Sequence, residues 1–218
     1  MRSLPVTFDL MFGDGALTLR EFAMKEPLPL AKIHEAVLEF LRFRDDAVLY
    51  RAQAVNAYVD EPRMTQDVDI LSPRAEDLAE EIRAYLAKEF TIAVRVRAVA
   101  SGRGFRIFQL REPKNRHLVD VRQTAALPPN QLVADVRVPT PEELIAQKVI
   151  AFSARRGQPK SGTDWRDLTM LLLVYPAMKS AVGPVMERLN ANAANEAAIG
   201  EWNRIVILPI DTDELDEF

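Results

Sequence analysis

Two aspartates one residue apart, Asp67 and Asp69, sit in the run Pro62-Arg63-Met64-Thr65-Gln66-Asp67-Val68-Asp69-Ile70-Leu71, whose end reads as a strand. Side chains alternate across a strand, so the two acids face one way while Val68 and Ile70 face the other. Two like charges held side by side are unfavourable unless a cation lies between them. Such a pair at a strand end is a candidate seat for Mg²⁺, which favours one or two carboxylates plus substrate phosphates. Taken alone, such a pair more often marks an edge strand with one solvated face than a metal seat.

Composition narrows the ion. The chain has 218 residues, no cysteine and two histidines. Disulfides, thiolate zinc sites and His-rich metal sites are therefore outside its reach, and carboxylates must hold any metal, which points to Mg²⁺ or Mn²⁺. No window is long and apolar enough to span a membrane, and Met1-Arg2-Ser3-Leu4-Pro5 lacks a secretory apolar region. The expected setting is cytoplasmic. The net charge of −4 argues against broad non-specific nucleic-acid binding. Arginines nevertheless crowd the middle: Arg95, Arg97, Arg103, Arg106, Arg111, Arg116 and Arg122. That stretch suits RNA or phosphates, or simply a solvated sheet face.

Hydropathy patterning predicts a mixed α/β (α+β) protein, a sheet flanked by helices and then a helical C-terminal part. Residues 1–27 read as an N-terminal hairpin, 28–139 as the α/β core, 140–207 as helical and 208–218 as an acidic tail. Within the core the pattern predicts a helix over 30–44, a strand over 46–51, a short helix over 52–58 and the acidic strand over 66–72. A helix from Ser72-Pro73 to about Lys88 follows, then strands over 91–99, 104–110 and 117–123 and a single extended piece over 132–138. Helices are expected over 141–154, 163–174, 177–190 and 196–207.

Three further stretches can carry chemistry. Leu118-Val119-Asp120-Val121 sets an acid among apolar strand formers. In Thr140-Pro141-Glu142-Glu143-Leu144, Thr140 and Glu143 suit a capping box with Pro141 at the first helical position. Lys148 then projects beside Leu144, on a face that is otherwise partly buried, where a lysine can snorkel to solvent. In Arg156-Gly157-Gln158-Pro159-Lys160-Ser161-Gly162-Thr163-Asp164, Ser161 or Thr163 can cap the next helix, with Asp164 and Asp167 suiting its first turn.

Taken in order, these stretches resemble the nucleotidyltransferase superfamily of DNA polymerase β type, closest to its AbiEii-like toxin branch. The matching residues are Ala54-Val55-Asn56, Arg63, Thr65, Asp67, Asp69 and Asp120, then the later helix from Pro141 and Glu143 to Lys148, then Arg156, Lys160 and Asp164. The resemblance implies transfer of a nucleoside monophosphate from an NTP to an acceptor, often a tRNA end or a protein, by a toxin that has an antitoxin partner. It implies that Asp67, Asp69 and Asp120 hold the metal and that Asp120 helps deprotonate the acceptor. Lys148, Lys160 and Asp164 would belong to the same active site, with Arg51, Ala52, Arg63 and Thr65 on the nucleotide.

The chain departs from that pattern at two places. Arg51-Ala52 stands where the family has Gly-Gly or Gly-Ser, and Ser161 replaces an acid. Small residues let backbone N–H groups approach a phosphate closely. An arginine there either obstructs that approach or substitutes its guanidinium. The alternative expectation is thus a catalytically inactive relative kept as a binding module. Arg51 discriminates the two. Pairing with Asp67 or Asp69 would fill the metal seat with the protein's own cation and favour the inactive reading, whereas an outward Arg51 keeps catalysis open.

Overall fold

A computed structural model describes residues 28–210. The hairpin expected over 1–27, and all but the first three residues of the expected tail, lie outside them. The chain divides into two compact units, one ending at Pro139 and one beginning at Thr140.

The first unit begins with helix α1 (Leu30–Leu41), strand β1 (Val48–Tyr50), helix α2 (Arg51–Asn56) and strand β2 (Val68–Ser72). Helix α3 (Ala75–Phe90) precedes strands β3 (Val94–Val99), β4 (Gly104–Gln109) and β5 (Arg116–Gln123). Five strands form one mixed sheet in the order β1-β2-β5-β4-β3. β2 runs parallel to β5, and every other neighbouring pair is antiparallel. β2 is therefore an interior strand, which removes the edge-strand explanation of Asp69. α3 packs on β3, β4 and β5, burying Leu78, Ala79, Ile82 and Leu86 beside a sheet layer that includes Ile70, Ile107, Val119 and Val121. Alternation along β3 and β4 then leaves Arg95, Arg97 and Arg106 exposed.

The segment predicted as one extended piece is instead a hairpin, β6 (Asn130–Val133) and β7 (Val136–Pro139). Its two turn residues, Ala134 and Asp135, have φ of 48° and 67°. Positive φ at both positions suits the right-handed twist of a two-residue hairpin. Ala-Asp lacks the Asn-Gly signature that announces such a turn in sequence, so the reversal was hidden. Arg42 helps hold it from outside, donating from Nη2 to Asp135 Oδ2 at 2.6 Å.

The second unit contains α4 (Pro141–Ala154), α5 (Pro159–Val174), α6 (Pro184–Ala191) and α7 (Glu196–Ile207). The helix expected over 177–190 is shorter: a 3₁₀ turn at Pro176–Met178 comes first, and α6 starts only at Pro184. Gly183, at φ 120°, breaks the chain direction before that proline. The expected capping box at Thr140 does not form. Thr140 makes no side-chain cap, and its buried Oγ1 has no hydrogen-bond partner. Glu143 turns instead to Arg188 Nε at 2.7 Å and to Asn192 Nδ2 at 3.1 Å. A charged hydrogen bond from an arginine outweighs a neutral one at a helix end. Similarly, α5 starts at Pro159 after an uncapped Gln158, so neither Ser161 nor Thr163 caps it.

Candidate active site

The parallel register of β2 and β5 sets Asp69 directly beside Asp120. Asp67 lies one residue before β2 begins. The loop that delivers it is tied to α2 by two side chains. Asn56 donates from Nδ2 to the Arg63 carbonyl at 2.8 Å and accepts from the Arg63 N–H at 3.1 Å, while Gln53 Nε2 donates to Thr65 Oγ1 at 3.0 Å. Asn56 and Thr65 of the motif thus position the loop. Ala52 is buried.

A histidine that the sequence reading left out joins the acids. His117 places Nδ1 3.2 Å from Asp67 Oδ2 and Nε2 3.1 Å from Asp120 Oδ1. Strict alternation would put His117 and Asp120 on opposite faces. A bulge prevents this: the pairing shifts from Ile107 opposite Val119 to Phe108 opposite His117, so Leu118 is an extra residue. Leu118 and Val119 are both fully buried, at 0% exposure, and His117 turns to the face that carries Asp120. Bulges are over-represented beside active sites because they re-aim a side chain in this way. The one clue in sequence was the doubled apolar pair Leu118-Val119 next to one of only two histidines.

Two of the acids carry an arginine from the protein itself, and an imidazole bridges the third. Arg51 Nη1 donates to Asp69 Oδ1 at 3.0 Å, Arg106 Nε donates to Asp120 Oδ1 at 2.9 Å, and His117 lies between Asp67 and Asp120. Burial pushes the Asp69 carboxyl up to about 6; Arg51 opposes that shift, and the negative charges of Asp67 and Asp120 add to it. Burial also acts to raise Asp120, but His117 and Arg106 outweigh it and hold that group below the usual carboxylate range. Burial would lower His117, yet Asp120 and Asp67 raise it on balance.

A ligand atom from each of Asp67, His117 and Asp120 lies within 4.8 Å of the others. Two carboxylates and an imidazole at that spacing fit a divalent ion, and a nitrogen ligand suits Mn²⁺ better than Mg²⁺. Asp69 is adjacent but is held by Arg51 rather than by that cluster. The discriminating arrangement named for the inactive reading, Arg51 turned onto Asp69, is the one observed.

In the second unit Lys148 and Asp164 come together with Asp167 and with Arg155, a residue the sequence motifs do not include. Lys148 Nζ lies 2.6 Å from Asp167 Oδ2 and 3.9 Å from Asp164 Oδ1, and Arg155 Nη1 lies 2.6 Å from Asp164 Oδ2. Lys148 does not snorkel; its side chain is 7% exposed and that of Asp167 is 0%. Asp164 is a network member well inside α5 rather than a first-turn acid. Lys160 is exposed.

A mixed sheet with paired acids on neighbouring parallel strands and flanking helices defines a nucleotidyltransferase fold. The family described as "Nucleotidyl transferase AbiEii toxin, Type IV TA system" matches residues 40–214, and the chain belongs to it. Among solved structures, JHP933 from Helicobacter pylori is similar with a TM-score of 0.57 at 13% identity, covering 88% of this chain and 92% of that one. The Megavirus polyadenylate synthase is similar with a TM-score of 0.57 at 11% identity, covering 72% of this chain; this chain spans only 34% of its length. At such identities the likeness concerns the fold. No curated protein matches the chain in sequence. Among the described residues, no helix is long and apolar enough to cross a membrane.

Proposed function

We propose that this protein is a metal-dependent nucleotidyltransferase that moves a nucleoside monophosphate from an NTP to an RNA hydroxyl, in the cytoplasm, as the toxin of a pair with an antitoxin. The observation that carries the reading is the side-by-side pairing of Asp69 with Asp120, the latter clustered with Asp67 and His117. Asp67, Asp69, Asp120 and His117 would hold the ion, Mg²⁺ or Mn²⁺. Bound there, the ion would neutralise charge on the triphosphate and orient it. Asp120, kept ionised by His117 and Arg106, is the group placed to accept a proton from the attacking hydroxyl. Arg51 and the loop at Arg63 and Thr65 belong to the nucleotide side. The roles of Lys148, Lys160 and Asp164 on the phosphates rest on the family alone.

RNA is favoured over a protein acceptor by the exposed sheet face. Arg97 lies opposite Arg106, and Arg106 lies opposite Asp120. Like charges directly across a strand pair are destabilising, and a phosphate backbone would relieve them. A second reading, an inactive relative used as a binding module, is favoured by the Arg51–Asp69 pair.

Calorimetric titration of each NTP with Mg²⁺ or Mn²⁺, on the wild type and on Asp69→Asn, separates the two. Micromolar binding that needs both metal and Asp69 supports the transferase. No binding by any of the four nucleotides would leave the binding module.

A further inference from the structure

Arg51 occupies a position that costs backbone energy to hold. It begins α2 with φ of +58°, in the left-handed region, where a residue with a Cβ pays about 1–2 kcal/mol. Its guanidinium reaches Asp69 at 3.0 Å and lies 5.3 Å from the centre of the Tyr50 ring. The two partners differ in freedom: the Asp69 side chain is 8% exposed and that of Arg51 is 35%. Arg51 is therefore the member that can leave. Asp69, by contrast, is fixed in the register beside Asp120 and has nowhere to go.

A guanidinium and a divalent ion compete for the same carboxylate oxygen. What removes an arginine from a carboxylate most readily is a better anion, and phosphate takes the same forked hydrogen bonds with more charge. Resting on the nucleotidyltransferase reading, we propose that Arg51 is an exchangeable counter-ion. Without nucleotide it neutralises Asp69 and keeps the ion from a full set of carboxylates. When a triphosphate arrives, Arg51 transfers to a phosphate oxygen, and Asp69 is released to the ion. The arginine thereby replaces the backbone phosphate contacts that small residues would have allowed. It also makes ion and triphosphate bind with positive coupling, which must be reciprocal. The exchange breaks no covalent bond and moves no proton.

The test uses the full chain and two separate binding measurements. Mn²⁺ alone is titrated and followed by its electron paramagnetic resonance signal. A fluorescent NTP is titrated in excess EDTA. Both are run on wild type, Arg51→Gly and Arg51→Gln, each first checked by thermal melting. Glycine suits the left-handed backbone, so Arg51→Gly is expected to fold, and Arg51→Gln keeps the side-chain bulk as a second variant. The expected result is Mn²⁺ binding about tenfold tighter in both variants, with metal-free NTP binding about tenfold weaker, within the usual range of coupling between ligands. Equal Mn²⁺ affinity in wild type and both variants would overturn the counter-ion role while leaving the transferase reading standing. Absence of Mn²⁺ binding in all three proteins would overturn both.

Discussion

Asp69 is an acid whose site makes it costly at neutral pH. Its folded value of about 6 lies above the ordinary aspartate value of 3.8, so between those limits the folded state binds more protons than the unfolded one. Stability contributed by this group therefore falls as pH rises through that window and stays low above it. Asp69→Asn is expected to raise stability at pH 7.5 by on the order of 1–3 kcal/mol, less whatever Arg51 loses with its partner. The gain should vanish near pH 4. Melting curves across that range check both points, and a lower melting temperature at pH 7.5 would mean the Arg51 pair outweighs burial. His117 has the opposite sign. Its raised value means that its stabilisation is complete below the ordinary 6.5 and is lost as pH rises through the folded value. His117→Gln should accordingly melt lower than wild type at pH 6, with the gap narrowing at high pH. At this scale the positions of Asp69 and Asp120 were legible because strand alternation and apolar neighbours mark them, whereas Asp67 falls one residue outside β2. His117 was not legible, since one extra residue in β5 reverses its side.

Individual elements owe their shape to a few buried polar side chains. Asn56, 4% exposed, satisfies both backbone groups of Arg63. Asn56→Ala should raise amide hydrogen exchange in the loop over 57–67 while leaving α3 protected, at a cost of about 1–3 kcal/mol for the unsatisfied groups. In the second unit, Asp167→Ala would leave Lys148, in a nearly dry site, only its longer 3.9 Å approach to Asp164, and should cost up to about 3–5 kcal/mol. Asp167→Asn, which keeps an acceptor, should cost less; denaturant melts of both variants measure the difference. α4 was legible from end to end because Pro141 sets its start and its apolar spacing is regular. The internal bonds that α4 makes were not, because Glu143 answers to Arg188 and Asn192, which lie 45 and 49 residues away in sequence. Local pattern carries no signal of that pairing.

For the whole chain, element order was readable but strand order was not. Nothing in the spacing of β2 and β5 announces that β5 inserts between β2 and β4, yet that insertion is what makes neighbours of Asp69 and Asp120. The charge balance shows the same division. A net charge of −4 hides an exposed face where Arg95, Arg97 and Arg106 gather beyond the acids. Arg97→Glu should weaken RNA binding regardless of sequence and flatten its dependence on salt by about one unit of slope per lost phosphate contact. Filter binding at several ionic strengths reads that slope, and an unchanged slope would take RNA off this face.

The bulge in β5 gives the lineage freedom of length at one point. Deleting the single codon for Leu118 would restore regular alternation and leave 119–123 paired with β2 as before. The imidazole and the Asp120 carboxylate would then stand two apart on one face of a regular strand, so the imidazole would stay beside the acid. The mixed nitrogen and oxygen ligand set therefore survives the loss of that residue, and a one-residue gap here in an alignment carries no information about which ion a relative prefers.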